Sequence, residues 1–161
     1  PKHLNKDSEV VALYAEYLML AGSHDEAEKC LRHQMKREWS RRLVQLYGLL
    51  DIERANKALS WGESCLKEHA SDPVLLLTLG RLSLRNELWG KARDYFESSY
   101  ELERGPEVCA ELGRLLAHLG EHELSYRCYE EGMMLNTREL PTLPMPHLRL
   151  QGPGAVEPGP T

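Results

Sequence analysis

The sequence predicts an all-α protein: a right-handed α-solenoid of about four stacked helical hairpins. Three observations carry that expectation. Apolar residues recur at helical spacing from about Ser8 to Leu135, with hardly a strand-like run among them. The pattern Leu79-Gly80-Arg81-Leu82 returns 33 residues later as Leu112-Gly113-Arg114-Leu115. Under the same shift small residues fall on small and aromatic on aromatic: Ala92 on Ser125, Phe96 on Tyr129, Ser99 on Gly132. A fixed period in the low thirties marks a repeat array, in which each two-helix unit buries its apolar face only by stacking on its neighbours.

The hairpins are expected at about 8–36, 38–69, 72–104 and 106–135, together forming a repeat domain over 1–137. In the first, Tyr14, Ala15, Leu18, Gly22, Ala27 and Leu31 follow the template. The second fits loosely through Leu46, Leu49, Ala58 and Cys65; Ala27 to Ala58 is 31 residues and Ala58 to Ala92 is 34, so the period drifts there. The third is the clearest. Asp72 caps the free amides of a helix that Pro73 opens. Val74 to Leu77, Leu79, Leu82 and Leu84 make that helix apolar on most sides, so it belongs between neighbours. Asn86-Glu87 turns the chain into a second helix with Trp89, Ala92, Phe96 and Tyr100 on one face. Gly105 then ends one unit and Pro106 begins the fourth. Small residues at fixed points let two helices approach closely, and large apolar residues fill the space between units.

Residues 138–161 differ in character. Six of the 9 prolines lie from Pro141 onward, joined by Gly152, Gly154 and Gly159, which predicts an extended or disordered tail. Leu140, Leu143, Met145, Leu148 and Leu150 are placed to dock on the last hairpin as an irregular cap.

Bulk composition excludes several function classes. A net charge of -5 argues against nucleic acid, which needs a basic stripe, and against an anionic membrane surface. No run approaches the roughly 20 apolar residues of a membrane span; the longest, Val10 to Ala21 and Val74 to Leu84, contain Glu16 and Arg81. The opening Pro1-Lys2-His3 has the look of a cut from a longer chain. Cys30, Cys65, Cys109 and Cys128 form no C-x-x-C pair and sit within helical patterns, as small buried or half-buried side chains do.

Leu79, Gly80, Ala92, Phe96 and Ser99 resemble the tetratricopeptide repeat, and in the fourth unit Ser125 and Tyr129 stand for its usual Ala and Phe. Within that pattern, the stretch from Leu75 to Arg93 resembles the HemY family, supported by Leu46-Tyr47-Gly48, the helix from Glu107 to Gly120, and Leu140-Pro141-Thr142-Leu143-Pro144. That family is described as bacterial inner-membrane proteins of protoheme biogenesis. The resemblance implies a membrane hairpin N-terminal to this sequence and a tetratricopeptide domain of which it is the C-terminal half. An unrelated flavin-dependent porphyrinogen oxidase shares the family's name, but the chain has neither a G-x-G-x-x-G turn nor a βαβ pattern, so oxidase chemistry is rejected.

In stacked hairpins the first helices line the concave surface, the usual binding face. Arg81 and Arg114 are equivalent one repeat apart, Arg85 and His118 follow four residues on, and Tyr47 falls at the matching point of the second unit. This row of Tyr47, Arg81, Arg85, Arg114 and His118 is the candidate partner-binding groove. Arginine forks grip carboxylates, so the expected guest is an acidic peptide segment of a partner. The competing reading is that these arginines pair with Glu residues of neighbouring helices.

No metal site is expected. His118 and His122 are four apart, but Gly120 turns the chain between them. No C-x-x-C-H, G-x-S-x-G, H-E-x-x-H or phosphate loop occurs, and Glu130-Glu131 and Asp25-Glu26 are solvated helix faces. Trp39, Trp61, Trp89, Tyr95, Phe96, Tyr100 and Tyr129 are expected between helices rather than around a porphyrin.

The leading expectation is therefore a non-catalytic protein–protein interaction scaffold without a cofactor. By resemblance it would gather late haem-biosynthesis enzymes at the bacterial inner membrane, held there by an absent N-terminal segment, with the domain on the cytoplasmic side, as scattered unpaired cysteines suggest. Two alternatives stay open: a porphyrin or haem carrier, and an assembly module of another bacterial envelope complex.

Overall fold

Short amphipathic segments separated by tight turns fold here into eight helices, with no strand among the described residues. The structure is a computed structural model that describes residues 2–141, 143 and 144, with side chains from Asp7 onward. In chain order the helices are α1 (Lys2–Leu20), α2 (His24–Met35), α3 (Arg41–Gly48), α4 (Ala55–His69), α5 (Pro73–Arg85), α6 (Trp89–Leu102), α7 (Pro106–His118) and α8 (His122–Asn136). They stack as an all-α solenoid. Each second helix leans on the first helix of the next unit (α2 on α3, α4 on α5, α6 on α7), and α1, α3 and α5 pack in series.

Three of the four units share one turn. Gly22, Glu87 and Gly120 all have positive φ, at 78°, 58° and 82°. In each, the residue after the turn donates its amide back across the hairpin: Ser23 to Leu18, Leu88 to Ser83, Glu121 to Leu116. This closes the last open carbonyls of the first helix. Glycine serves the left-handed position twice; Glu87 adopts it without that freedom, helped by Asn86, whose Nδ2 donates to Leu82 O at 2.7 Å. The three turns lie in one register, so units one, three and four superpose without gaps: Ala15 on Gly80 on Gly113, Ala27 on Ala92 on Ser125, and Leu31 on Phe96 on Tyr129.

The irregularity falls wholly on the second unit. Helix α3 has only 8 residues, and residues 49–54 separate it from α4. Its closest backbone approaches are to the third unit. Thr78 Oγ1 donates to Val44 O at 2.8 Å, and a Cβ on Gly48 would meet Thr78 at 2.8 Å. Gly62 of α4 likewise lies against Leu79.

Helix α5 is the keel of the array. Val74 to Gly80, Leu82 and Ser83 are buried, as expected for a helix apolar on most sides. Leu75, Leu79 and Leu82 join the core built on α1 to α4, while Leu77 joins the second core with Ala92, Phe96, Val108, Leu112, Leu115 and Leu116. Asp72 caps it through Val74 N at 2.9 Å and Leu75 N at 3.3 Å, and its second oxygen accepts from Trp39 Nε1 at 2.8 Å. Trp39 in turn stacks on His69, with ring centroids 3.8 Å apart. One carboxylate thus starts α5 and pins the linker between the first two units.

Small residues act as the sequence suggests. Gly80 faces the ring of Phe96 so closely that a Cβ there would overlap it, and Gly132 sits 2.9 Å, measured from a Cβ built on it, from Cys109 Cβ. Of the residues expected to dock as a cap, Leu140 and Leu143 are exposed, at 67% and 62%, whereas Met145, Leu148 and Leu150 lie outside the described residues.

Candidate interaction surface

The five residues predicted to line a groove do not form one row. Tyr47 is a core residue with 1% exposure. Its ring lies against Trp61 at 4.9 Å between centroids, and its hydroxyl donates to Glu28 at 2.9 Å. Burial, with Glu28 beside it, pushes the phenol far above its ordinary range. Tyr47 therefore joins α3 to α2 and α4 and is not available to a guest. With Gly48 set on Gly80, Tyr47 takes the place of buried Leu79 rather than that of Arg81.

Arg81 is spent within the fold. Its side chain is 10% exposed, with Nε donating to Glu111 and Nη2 to Glu107, each at 2.9 Å. The pairing with glutamates of a neighbouring helix is the competing reading weighed from the sequence, and it applies here: Arg81 ties α5 to α7. Its Nη1 is buried without a hydrogen-bond partner. Arg85 pairs with Asp51 at 2.7 Å, bracing the long connection after α3.

Similar ties run along the first helices. Arg42 reaches Glu9 at 2.5 Å and Glu16 at 3.1 Å on α1, and Arg41 holds Glu103 through both terminal nitrogens, at 3.0 Å and 2.5 Å. The second helices have their own set. Glu63 accepts from Lys91 at 2.7 Å and Tyr95 at 2.9 Å, Arg93 holds Glu121 at 2.5 Å, and Tyr100 donates to Glu131. Burial and the Glu63 carboxylate push the Tyr95 phenol up to about 12. The hydrogen bond to Glu131, then burial, does the same for Tyr100, also to about 12. These phenols are cross-braces, not acids or bases for neutral-pH chemistry.

Two predicted residues do meet. Arg114 and His118, both exposed on α7, line a cleft of about 380 Å³ together with Leu84, Trp89, Leu115 and Leu119. Arg114 is paired with Glu111 on its own helix, yet its side chain stays 59% exposed. Trp89 and Leu119 are 48% and 45% exposed. The cleft thus has an apolar floor and one accessible guanidinium at its edge. Sequence reasoning assigned Trp89 to helix packing. Nothing in the spacing sets it apart from Ala92 and Phe96 on the same face; its exposure emerges only in the cleft it forms with α7.

Burial pushes the thiols of Cys65 and Cys128 up, and that of Cys109 up to about 11, so they stay protonated near neutral pH. His118 closes α7 and His122 opens α8, on either side of Gly120. Among the described residues no group of three or more His, Cys, Asp or Glu side chains is placed to hold a metal ion. No described helix is long and apolar enough to cross a membrane.

No family profile matches the chain, and no curated protein matches it in sequence. Solved structures do match in fold. A crystal structure of MamA superposes with a TM-score of 0.60 at 12% identity, covering 82% of this chain and 80% of that one. The MamA RS-1 ArsTM double mutant gives a TM-score of 0.60 at 18% identity, over 86% and 80%. A third, MamA MSR-1 C2, gives 0.56 at 14%, over 83% and 79%. At these identities the likeness is one of fold, an all-helical repeat of the tetratricopeptide type.

Proposed function

We propose that the chain is a non-catalytic protein-interaction scaffold that receives a partner segment at the α7 cleft. One observation carries this reading. The arginines Arg41, Arg42, Arg81 and Arg85 are engaged by carboxylates of other helices or loops, whereas Arg114 stands half-exposed beside an apolar cleft. The fitting guest presents an apolar side chain to Leu84, Trp89, Leu115 and Leu119 and a carboxylate to Arg114. Solenoids use such pre-formed surfaces for recognition without chemistry.

The test is selection of displayed peptides on the intact chain. Selected peptides should pair an acidic residue with a neighbouring Leu, Phe or Trp. Their synthetic versions should quench or shift Trp89 fluorescence and lose about tenfold or more in affinity against Arg114→Glu. Affinity for Arg41→Glu should be unchanged. Peptides that bind Arg114→Glu and the parent chain equally would sink the assignment.

The finer reading, a scaffold for haem-biosynthesis enzymes at the bacterial inner membrane, is supported by the resemblance over Leu75 to Arg93. On that reading an N-terminal segment outside this sequence anchors the parent protein, and the repeat domain faces the cytoplasm, where unpaired cysteines persist. Haemin titration separates scaffold from carrier: the scaffold gives no Soret shift at stoichiometric haemin, and a saturable shift favours the carrier.

A further inference from the structure

Resting on the reading of the α7 cleft as a site for an acidic segment, we propose that Glu111 sets how strongly the cleft prefers acidic guests. Glu111 holds Arg114 as an internal stand-in for the guest's carboxylate, and the guest binds by taking that place. It sits one helical turn before Arg114 and accepts from it through Oε2. Its other oxygen, Oε1, accepts from Arg81 Nε at 2.9 Å. The same carboxylate therefore links the guanidinium spent within the fold to the guanidinium that edges the cleft.

The members of this bridge differ in freedom. The side chains of Glu111 and Arg81 are 14% and 10% exposed, whereas that of Arg114 is 59% exposed. Arg81 is further fixed by Glu107, which accepts from its Nη2 at 2.9 Å and from Gln45 Nε2 at 3.4 Å. Glu111 is thus anchored from α5, and the movable partner is Arg114. Arg114 is also the member that lines the cleft, with Leu84, Trp89 and Leu115. A long exposed side chain exchanges partners at small cost, because a surface pair of this kind changes an equilibrium constant only by a small factor.

The exchange sorts guests by charge. A guest carboxylate replaces one acceptor of Arg114 by another, and Glu111 keeps its pairing with Arg81, so neither residue is left without a partner. A neutral guest cannot draw Arg114 away from Glu111 and gains only the apolar contacts. The negative charge of Glu111 also opposes an incoming carboxylate. Glu111 therefore weakens acidic guests and leaves neutral ones untouched.

The test compares two synthetic versions of one peptide selected by display on the intact chain, one with its acidic residue and one with the corresponding amide. Glu111→Gln keeps an oxygen for Arg81 Nε and removes the charge. It should tighten the acidic peptide about threefold and leave the amide version unchanged. Glu107→Gln is the control. It takes a charge from the same Arg81, but lies two helical turns from Arg114, about 10 Å along α7 and beyond the screening length of about 8 Å at physiological salt. It should change neither affinity. Far-ultraviolet circular dichroism checks the fold of each variant. Should Glu111→Gln fail to fold, Glu111→Met, equally uncharged and helix-favouring, takes its place with the same expectation. An acidic peptide that binds the uncharged variant no more tightly than the parent overturns the proposal and leaves the α7 site standing. So does an equal gain by the amide version, or by Glu107→Gln. Peptides that bind Arg114→Glu and the parent chain equally remove the site itself, and the proposal with it.

Discussion

The third and fourth hairpins superpose by a 33-residue shift, yet the third holds its aromatic ring at 0% exposure and the fourth leaves its ring at 45%. Phe96 and Tyr129 occupy the same place on their helices, and each presses on the glycine of its partner helix, Gly80 or Gly113. The difference lies in what comes after them. Phe96 is roofed by α7, whereas no described helix follows α8. The burial of a residue in a repeat is therefore set half by its own hairpin and half by the next, which is the physical content of nearest-neighbour stability in solenoids.

Truncating the two rings probes that difference most strongly. Phe96→Ala should cost about 4 kcal/mol in urea unfolding, since it empties a closed site. Tyr129→Ala should cost about 1 kcal/mol, since half of the ring is already in water. Equal losses would mean that the fourth hairpin is roofed in solution. The glycines sharpen the same contrast on a smaller scale. Gly80→Ala places a Cβ within the locked Phe96 ring and should destabilise by about 2 kcal/mol despite the gain in helix propensity. Gly113→Ala places its Cβ 3.0 Å from a ring that is free to shift, and should change stability by less than about 0.5 kcal/mol.

The smallest expected effect concerns the tie from the irregular second unit to the third. Arg41 holds the Glu103 carboxyl below its usual range by hydrogen bond and charge, against a smaller opposing effect of burial. A depressed folded-state value stabilises the fold above the unfolded value of about 4.3 and loses that contribution as pH falls through the depressed one. Glu103→Gln should therefore flatten the decline of the urea midpoint between about pH 5 and pH 3, by a few tenths of a kcal/mol for so exposed a pair. An identical decline in both chains would show that the tie does not persist in solution.

Much of the fold was legible in the sequence because its signals are local. The cap at Asp72-Pro73, the turn at Asn86-Glu87 and the Gly80–Phe96 pairing each depend on residues within one hairpin. The second unit was read only loosely because its short first helix, α3, owes its place to α5. The candidate site was legible in part. The register of Arg81 and Arg114 was evident, but their fates diverged because Glu107 and Glu111 approach Arg81 from α7 and bury it. Trp89 was read as packing because only the assembled helices show that it stays 48% exposed, whereas Leu84, read the same way, does pack against the second core.

By itself, then, the sequence determined the all-helical class, the period and the small-against-large contacts within each hairpin. These follow from spacing along the chain, which fixes the faces of a helix. The tertiary structure alone decided which of those faces meet a neighbour. It put Tyr47 in the core, engaged Arg81 and left Arg114 beside an open cleft. Burial and charge pairing depend on residues 19 to 34 positions away, and sequence spacing constrains those encounters only after the units have stacked.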